Sequence, residues 1–309
     1  MSGVIVTSQM TKQYHGGKTG VSRLDLCIPE GAIYAFLGDN GAGKTTTMRV
    51  LTGQLAPDAG KAEILGLDCW MDAPALRHRV GYVPERPKFY DWMTVREIGW
   101  FTSSFYERGF SERFIDWCER IGLDPTKKLK ELSKGGYARV GLALALAIDP
   151  DVLLLDEPTS GLDLHTRREF LTSMVDLASA GRTILISSHQ IAEVERVASH
   201  VALLSDGKLL LAMPMDELKR SVRRVRLRFE GSPPDATTIG TVLERRINGR
   251  NLEVVVRHPD DNAIGVMRNS AYISDFEETS VSLEDIYSVL MPHPERKTSR
   301  ETVAAEARL

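Results

Sequence analysis

Three cysteines in 309 residues, with no Cys-x-x-Cys and no Cys/His cluster, leave this chain without a disulfide framework or a zinc site. Cys27, Cys69 and Cys118 are scattered and odd in number, so reduced thiols in a cytoplasmic setting are expected. Net charge is scarce as well: 39 Lys and Arg against 42 Asp and Glu leave −3. That balance does not suit a protein whose main task is neutralising nucleic-acid phosphates. Long apolar runs are missing; the longest, Val140 to Ile148, is about half of the ~20 residues a membrane span needs. The first residues, Met1 to Val6, have no basic segment leading into an apolar stretch, so no signal peptide is expected. There is no internal repeat. What remains is ordinary for a globular chain, 42% hydrophobic and 26% charged, with room for about two domains at ~150 residues each. If this protein works at a membrane, another chain has to cross it.

Ala32–Leu37, Val152–Leu155 and Thr183–Ile186 are short runs that are apolar throughout, ending at Gly38, Asp156 and Ser187. Such runs suit strands buried on both faces, as in a parallel sheet flanked by helices. Between them, Thr94-Val95-Arg96-Glu97 is a capping box ahead of Ile98, Phe101 and Phe105. Ser111 begins a helix whose apolar face is Phe114, Trp117, Cys118 and Ile121. Val201–Leu204 and Leu209–Leu211 around Asp206-Gly207 predict a hairpin. After it, Val225, Leu227 and Phe229 alternate with Arg224, Arg226 and Arg228, the pattern of a strand with one apolar and one basic face. The basic face reads as solvated or as lying near lipid headgroups. Residues 221–291 form a small α+β appendage on this reading, and 292–309 a polar, disordered tail.

Two stretches carry chemistry. Gly38-Asp39-Asn40-Gly41-Ala42-Gly43-Lys44-Thr45 fits G-x-x-x-x-G-K-[ST], between a buried strand and a helix that Thr46 continues. Its glycines let the backbone curl so that successive N–H groups face a polyphosphate. Lys44 would reach the β/γ-phosphates and Thr45 would hold Mg²⁺ through its hydroxyl. Asp151–Glu157 is a buried strand ending in carboxylates, where open α/β folds bind ligands. There Asp156 would bind Mg²⁺ and Glu157 would activate the attacking water.

With Leu132-Ser133-Lys134-Gly135-Gly136 the chain resembles the nucleotide-binding subunit of an ABC (ATP-binding cassette) transporter over about residues 4–215. The ordered set is the phosphate loop, the signature at Ser133, Gly135 and Gly136, Asp156-Glu157-Pro158, the D-loop Ser160-Gly161-Leu162-Asp163, and Ser188-His189. Taken alone, Ser133 is a plain helix cap and His189 a structural histidine; their order in this set changes that reading. The resemblance implies an α/β P-loop NTPase cassette: a RecA-like parallel-sheet core with an antiparallel β subdomain and a helical subdomain, over residues 1–220. It implies an ATPase that binds ATP and Mg²⁺ and pairs head to tail with a second cassette. Ser133, Gly135 and Gly136 would then meet the partner's γ-phosphate, His189 would contact the γ-phosphate in cis, and Asp163 would couple the sites. Tyr14 stands where the family places an aromatic that stacks on adenine.

The chain departs from the family pattern in two places, the signature and the Q-loop. Lys134 replaces the usual first glycine of the signature, with Gly136 in place of its glutamine, and Glu85 replaces the Q-loop glutamine. Glutamate keeps an oxygen for Mg²⁺ or water but adds charge; Lys134 would point away from the nucleotide or add positive charge near it. Both changes, with the closing Ser282–Ile286, resemble ATPase subunits of ABC-2-type exporters. In such a system a homodimer sits on the inner face of the cell membrane against a separate permease. Phe89, Tyr90, Trp92, Trp100 and Phe101 fall in the region that receives the permease. No nucleic-acid partner is expected, although a soluble ABC ATPase acting on ribosomes or DNA is the alternative, supported only by the basic strand.

Overall fold

A computed structural model describes residues 3–17, 19–106 and 108–291 and divides the chain into two compact units, Met1–Ala212 and Met213–Leu309. The expected tail, 292–309, lies outside the described residues.

The first unit contains β1 (Ile5–Gln13), β2 (Thr19–Ile28), β3 (Ile33–Gly38), β4 (Ala59–Ile64), β5 (Leu67–Asp68) and β6 (Val80–Val83). It continues with β7 (Val152–Asp156), β8 (Thr183–Ser188), β9 (His200–Ser205) and β10 (Lys208–Pro214). Its helices are α1 (Lys44–Leu51), α2 (Ala73–Leu76), α3 (Val95–Ser103), α4 (Phe110–Arg120), α5 (Lys134–Ala147), α6 (Leu164–Ser179) and α7 (Ile191–Val194). β2-β1-β4-β5 form an antiparallel sheet in which Ile5 sits opposite both Ile28 and Ile64, all three fully buried.

The larger sheet runs β10-β9-β3-β8-β7-β6, and its β9, β3, β8, β7 and β6 are parallel. Every residue of β3, β7 and β8 is buried, as their unbroken apolar runs require. Each of Leu153, Leu154 and Leu155 contributes on the order of 1.5–3 kcal/mol by leaving water. The register matters for function: Leu37 lies opposite Ser188 and Asp156 opposite Ser187. Parallel pairing therefore brings the ends of β3, β7 and β8 to one sheet edge.

α3, α4 and α5 enclose a separate core of Val95, Ile98, Phe110, Phe114, Cys118, Val140 and Ala143. The Thr94/Glu97 capping box forms: the Glu97 N–H donates to Thr94 Oγ1 at 3.2 Å and the Thr94 N–H to Glu97 Oε2 at 2.7 Å. One expectation fails here. α3 ends at Ser103, so Phe105 falls outside it and is 65% exposed. Periodicity identifies a side of a helix but not the residue where the helix stops.

In the second unit, α8 (Met215–Ser221) runs without a loop into β11 (Val222–Phe229). The division between units thus falls ahead of residue 220, because α8 contacts β11 and buries Leu218. β12 (Thr241–Asn248), β13 (Asn251–Arg257), α9 (Asp261–Arg268), β14 (Ile273–Ser280) and α10 (Leu283–Leu290) follow, with strand order β12-β13-β11-β14. Val225, Leu227 and Phe229 are buried with Leu252, Val254 and Val256. Carboxylates from neighbouring elements pair with part of the arginine face. Arg226 pairs with Glu253 at 2.8 Å and Arg224 with Asp285 at 3.0 Å, while Arg223, on the other face, pairs with Asp261 at 2.8 Å and with Glu278. The cross-strand Arg226–Glu253 pair stabilises the sheet, and Arg228 at the end of the same face is exposed.

Candidate functional site

The loop between β3 and α1 carries Gly38 to Gly43. Gly43 adopts φ 108°, a left-handed conformation, and a Cβ there would collide with the carbonyl oxygen of Gly20; only glycine fits. The turn is closed by the Ala42 N–H donating to Asp39 O at 3.0 Å and the Thr47 N–H donating to Gly43 O at 2.9 Å. α1 begins at Lys44 with no side-chain cap and no acid in its first turn, so its first N–H groups and the positive end of its dipole face the loop.

Lys44 is only 6% exposed. Its Nζ donates to Gly38 O at 2.6 Å and to Asp39 O at 3.4 Å, and lies 3.5 Å from Glu157 Oε1. Thr45 is exposed at the mouth, whereas Thr46 is buried and its Oγ1 lies 3.0 Å from the Tyr14 hydroxyl. Tyr14, Asp39, Asn40, Gly41, Gly43, Lys44, Thr45, Thr46, Glu85 and Glu157 line one cavity of about 380 Å³, with Thr19, Gly20 and Arg49 beside them.

β7 delivers two carboxylates to the same edge. Asp156 is 1% exposed; its Oδ1 accepts from the Ser187 hydroxyl at 2.6 Å, while its Oδ2 is buried without a partner. Burial pushes the Asp156 carboxyl above its ordinary pKa; hydrogen bonds from Ser187 and Thr45 oppose that, and the charges of Glu157 and Glu85 add to it. Glu157 sits at φ 50°, a left-handed conformation that costs a residue with a Cβ about 1–3 kcal/mol. Its N–H is held by Ser187 O at 3.1 Å and Ser187 Oγ at 3.0 Å. Its side chain, about nine-tenths buried, places Oε2 2.7 Å from His189 Nδ1 and 3.2 Å from the donating His189 N–H, and leaves Oε1 without a hydrogen-bond partner.

Lys44, Asp156, Glu157 and His189, far apart in the chain, thus meet at the end of the parallel sheet. Ser133, Gly135, Gly136 and Asp163 do not line the phosphate-loop cavity. Ser133 caps α5, accepting from the Gly136 N–H at 3.1 Å, and borders a second cleft of about 230 Å³ with Glu85, Lys134, Glu157, Pro158 and Ser160. Gly135 packs against Leu162, and Asp163 caps α6. The Thr166 N–H and hydroxyl, with the His165 N–H, hold the Asp163 carboxyl below its usual range.

Ser187 is the residue that sequence reasoning passed over. It organises both carboxylates, and the available signal was a polar residue ending an apolar strand beside Ser188, already singled out.

Residues 21–160 match the protein family described as ABC transporter, and residues 131–195 match one described as AAA domain, putative AbiEii toxin, Type IV TA system. The bacitracin transport ATP-binding protein BcrA of Bacillus licheniformis is 36% identical over 257 residues, covering 82% of this chain and 83% of that relative. The daunorubicin/doxorubicin resistance ATP-binding protein DrrA of Streptomyces peucetius is 29% identical over 323 residues, 99% of this chain and 97% of that relative. Among solved structures, an ATP-binding subunit of an ABC transporter superposes with TM-score 0.65 at 24% identity, over 70% of this chain and 92% of that one. A dimeric post-hydrolysis state of the ATP-binding cassette MJ0796, bound to ADP and Pi, superposes with TM-score 0.64 at 23% identity, over 68% and 98%. Likeness at that identity establishes the fold.

Proposed function

The chain belongs to the ATP-binding family of ABC transporters, and from that membership we propose that it hydrolyses ATP to energise export through a separate permease. The observation that carries the reading is the convergence of Lys44, Asp156, Glu157 and His189 beside the phosphate loop. The N–H groups of the loop and of the α1 N-terminus receive the phosphates. Lys44, now bonded to the Gly38 and Asp39 carbonyls, is held buried where a β/γ-phosphate displaces those weaker partners. Glu157 accepts the proton of the attacking water, with Oε2 fixed by His189 and Oε1, which has no hydrogen bond but lies 3.5 Å from Lys44 Nζ, receiving it once Lys44 turns to the phosphates. Tyr14 lines the same cavity, where its ring would stack on the base.

Mg²⁺ fits the residues present. Asp156 Oδ2 is a buried, unpartnered carboxylate oxygen, and Thr45 helps hold the Asp156 carboxyl down against its burial. Among the described residues no group of three His, Cys, Asp or Glu forms a metal cage. That suits an ion held mostly by phosphates and water, with Asp156, Thr45 and Glu85 as its protein oxygens. When bound, the ion neutralises charge on the transferring phosphoryl group.

A second copy completes the site in this reading. Ser133, Gly135 and Gly136 stand outside their own chain's phosphate cavity at the N-terminus of α5, as a donor to another copy's γ-phosphate needs to stand. Asp163 lies on the adjoining D-loop. No helix among the described residues is long and apolar enough to cross a membrane; in this reading the export path belongs to a permease, with the cassettes on the cytoplasmic face, as family membership supports. Tyr90, Trp92, Trp100 and Phe105 are exposed on the helical region, an aromatic surface suited to anchoring that partner. Similarity to the bacitracin transport protein BcrA and the daunorubicin/doxorubicin resistance protein DrrA supports export of a compound of that kind through an ABC-2-type permease. The ribosome or DNA alternative rests on the β11 arginines alone, of which Arg224 and Arg226 are already paired with carboxylates.

The test is co-purification from native membranes with ATPase measurement. A multi-span protein should accompany the chain, and Lys44→Ala should reduce hydrolysis by at least about 100-fold. Unchanged hydrolysis in that variant would remove the phosphate-loop assignment, and recovery of ribosomes in place of a permease would remove the transport role.

A further inference from the structure

Glu85 and Lys134 are the two charged departures from the family pattern, and the fold brings them to one place. Both line the cleft of about 230 Å³ that also holds Ser133, Glu157 and Pro158. Glu85 borders the phosphate-loop cavity as well, so its carboxylate stands between the two spaces. With Asp156 and Glu157 it makes three carboxylates acting on the end of the sheet where a polyphosphate is to bind.

The cations available to offset them are few. Lys44 is already engaged with Glu157 and the loop carbonyls. Arg86 reaches Glu85 Oε1 only through Nε at 3.5 Å from a side chain that is 85% exposed, a pair that water screens. Arg49 lines the phosphate-loop cavity but not the cleft, so the cations of the cleft are Arg86 and Lys134. The position of Lys134 is electrostatically unfavourable by itself, because it opens α5 at the positive end of the helix with no acid in the first turn. Yet its side chain lies along the D-loop: a Cβ on Gly161, which adopts φ 76°, would come within 2.6 Å of Lys134 Cδ and Nζ. The glycine makes room for the lysine stem.

We propose that Lys134, which shares the cleft with Glu85 while Glu85 ion-pairs with Arg86, offsets the added carboxylate through space so that the site admits the phosphates of ATP, and that the two departures work as one unit. The inference deepens the ATP-binding reading and rests on it. The electrostatic logic is local and water-accessible, so it is sensitive to salt.

A double-mutant cycle on the full chain tests it, with ATP affinity read by calorimetry both in EDTA and with Mg²⁺, and turnover read alongside. Lys134→Met should weaken ATP binding at least about fivefold when Glu85 is present and less than about twofold in the Glu85→Gln background. The fivefold effect should shrink as salt rises to about 1 M. The same factor in both backgrounds, or no effect of Lys134→Met in either, overturns the proposal. Both positions are solvent-exposed, so matching thermal melts confirm that the four proteins fold alike. Failure of the unsubstituted chain to bind ATP would instead sink the nucleotide reading, a separate outcome.

Discussion

Replacing Ser187 by alanine removes the hydroxyl that organises both carboxylates. Ser187 is fully buried and Asp156 is 1% exposed, so no water can take its place. The hydrogen bond to Asp156 Oδ1 is 2.6 Å long and has an ionised acceptor, worth about 1.5–3 kcal/mol. The Glu157 N–H loses one of two acceptors but keeps Ser187 O at 3.1 Å, so its share is small. The sum is a destabilisation of about 2–3 kcal/mol, which for a unit of this size lowers Tm by about 5–10 °C. Tryptophan fluorescence is the suitable assay, because Trp70, Trp92, Trp100 and Trp117 all lie in the first unit.

The pH dependence adds a second handle on the same substitution. Burial raises the folded-state pKa of Asp156, so the carboxyl favours the nucleotide-free fold when protonated, and that contribution is lost as pH rises through the folded value. Losing the Ser187 donor raises that pKa further, so the penalty falls on the ionised carboxylate and should shrink as pH drops below the folded value. A loss below about 0.5 kcal/mol at about pH 8 would refute the assignment of Ser187 as the support of an ionised Asp156.

Asp156→Asn keeps an acceptor for Ser187 and removes a buried charge. The nucleotide-free protein should melt no lower than the unsubstituted one at about pH 8, while Mg²⁺-dependent hydrolysis falls at least about 100-fold; a lower Tm would contradict the burial argument. Glu157→Gln should retain ATP in a binding assay and slow turnover by about 10²–10⁴-fold, and near-normal turnover removes Glu157 as the base. Alanine at both Trp92 and Trp100, which are 65% and 69% exposed, should leave ATP affinity unchanged and reduce the permease recovered on co-purification. Undiminished recovery would move the docking surface elsewhere.

The sequence by itself determined what depends on local pattern. The glycine spacing around Lys44, the three apolar runs and the Thr94 capping box are legible because backbone conformation and strand burial leave marks on neighbouring residues. The order of the motifs then carried the family. Tertiary structure decided what depends on partners distant in the chain. Parallel pairing in register set Ser187 beside Asp156, a neighbour that the polar end of the apolar run hints at but cannot name. Glu253 and Asp285 came from other elements to pair with Arg226 and Arg224, part of the basic face of β11. The end of α3 at Ser103 exposed Phe105, and the placement of Lys134 along Gly161 joined two motifs that the sequence separates. Local propensity acts over a few residues, whereas charge compensation and close packing act across whatever the fold brings within several ångströms.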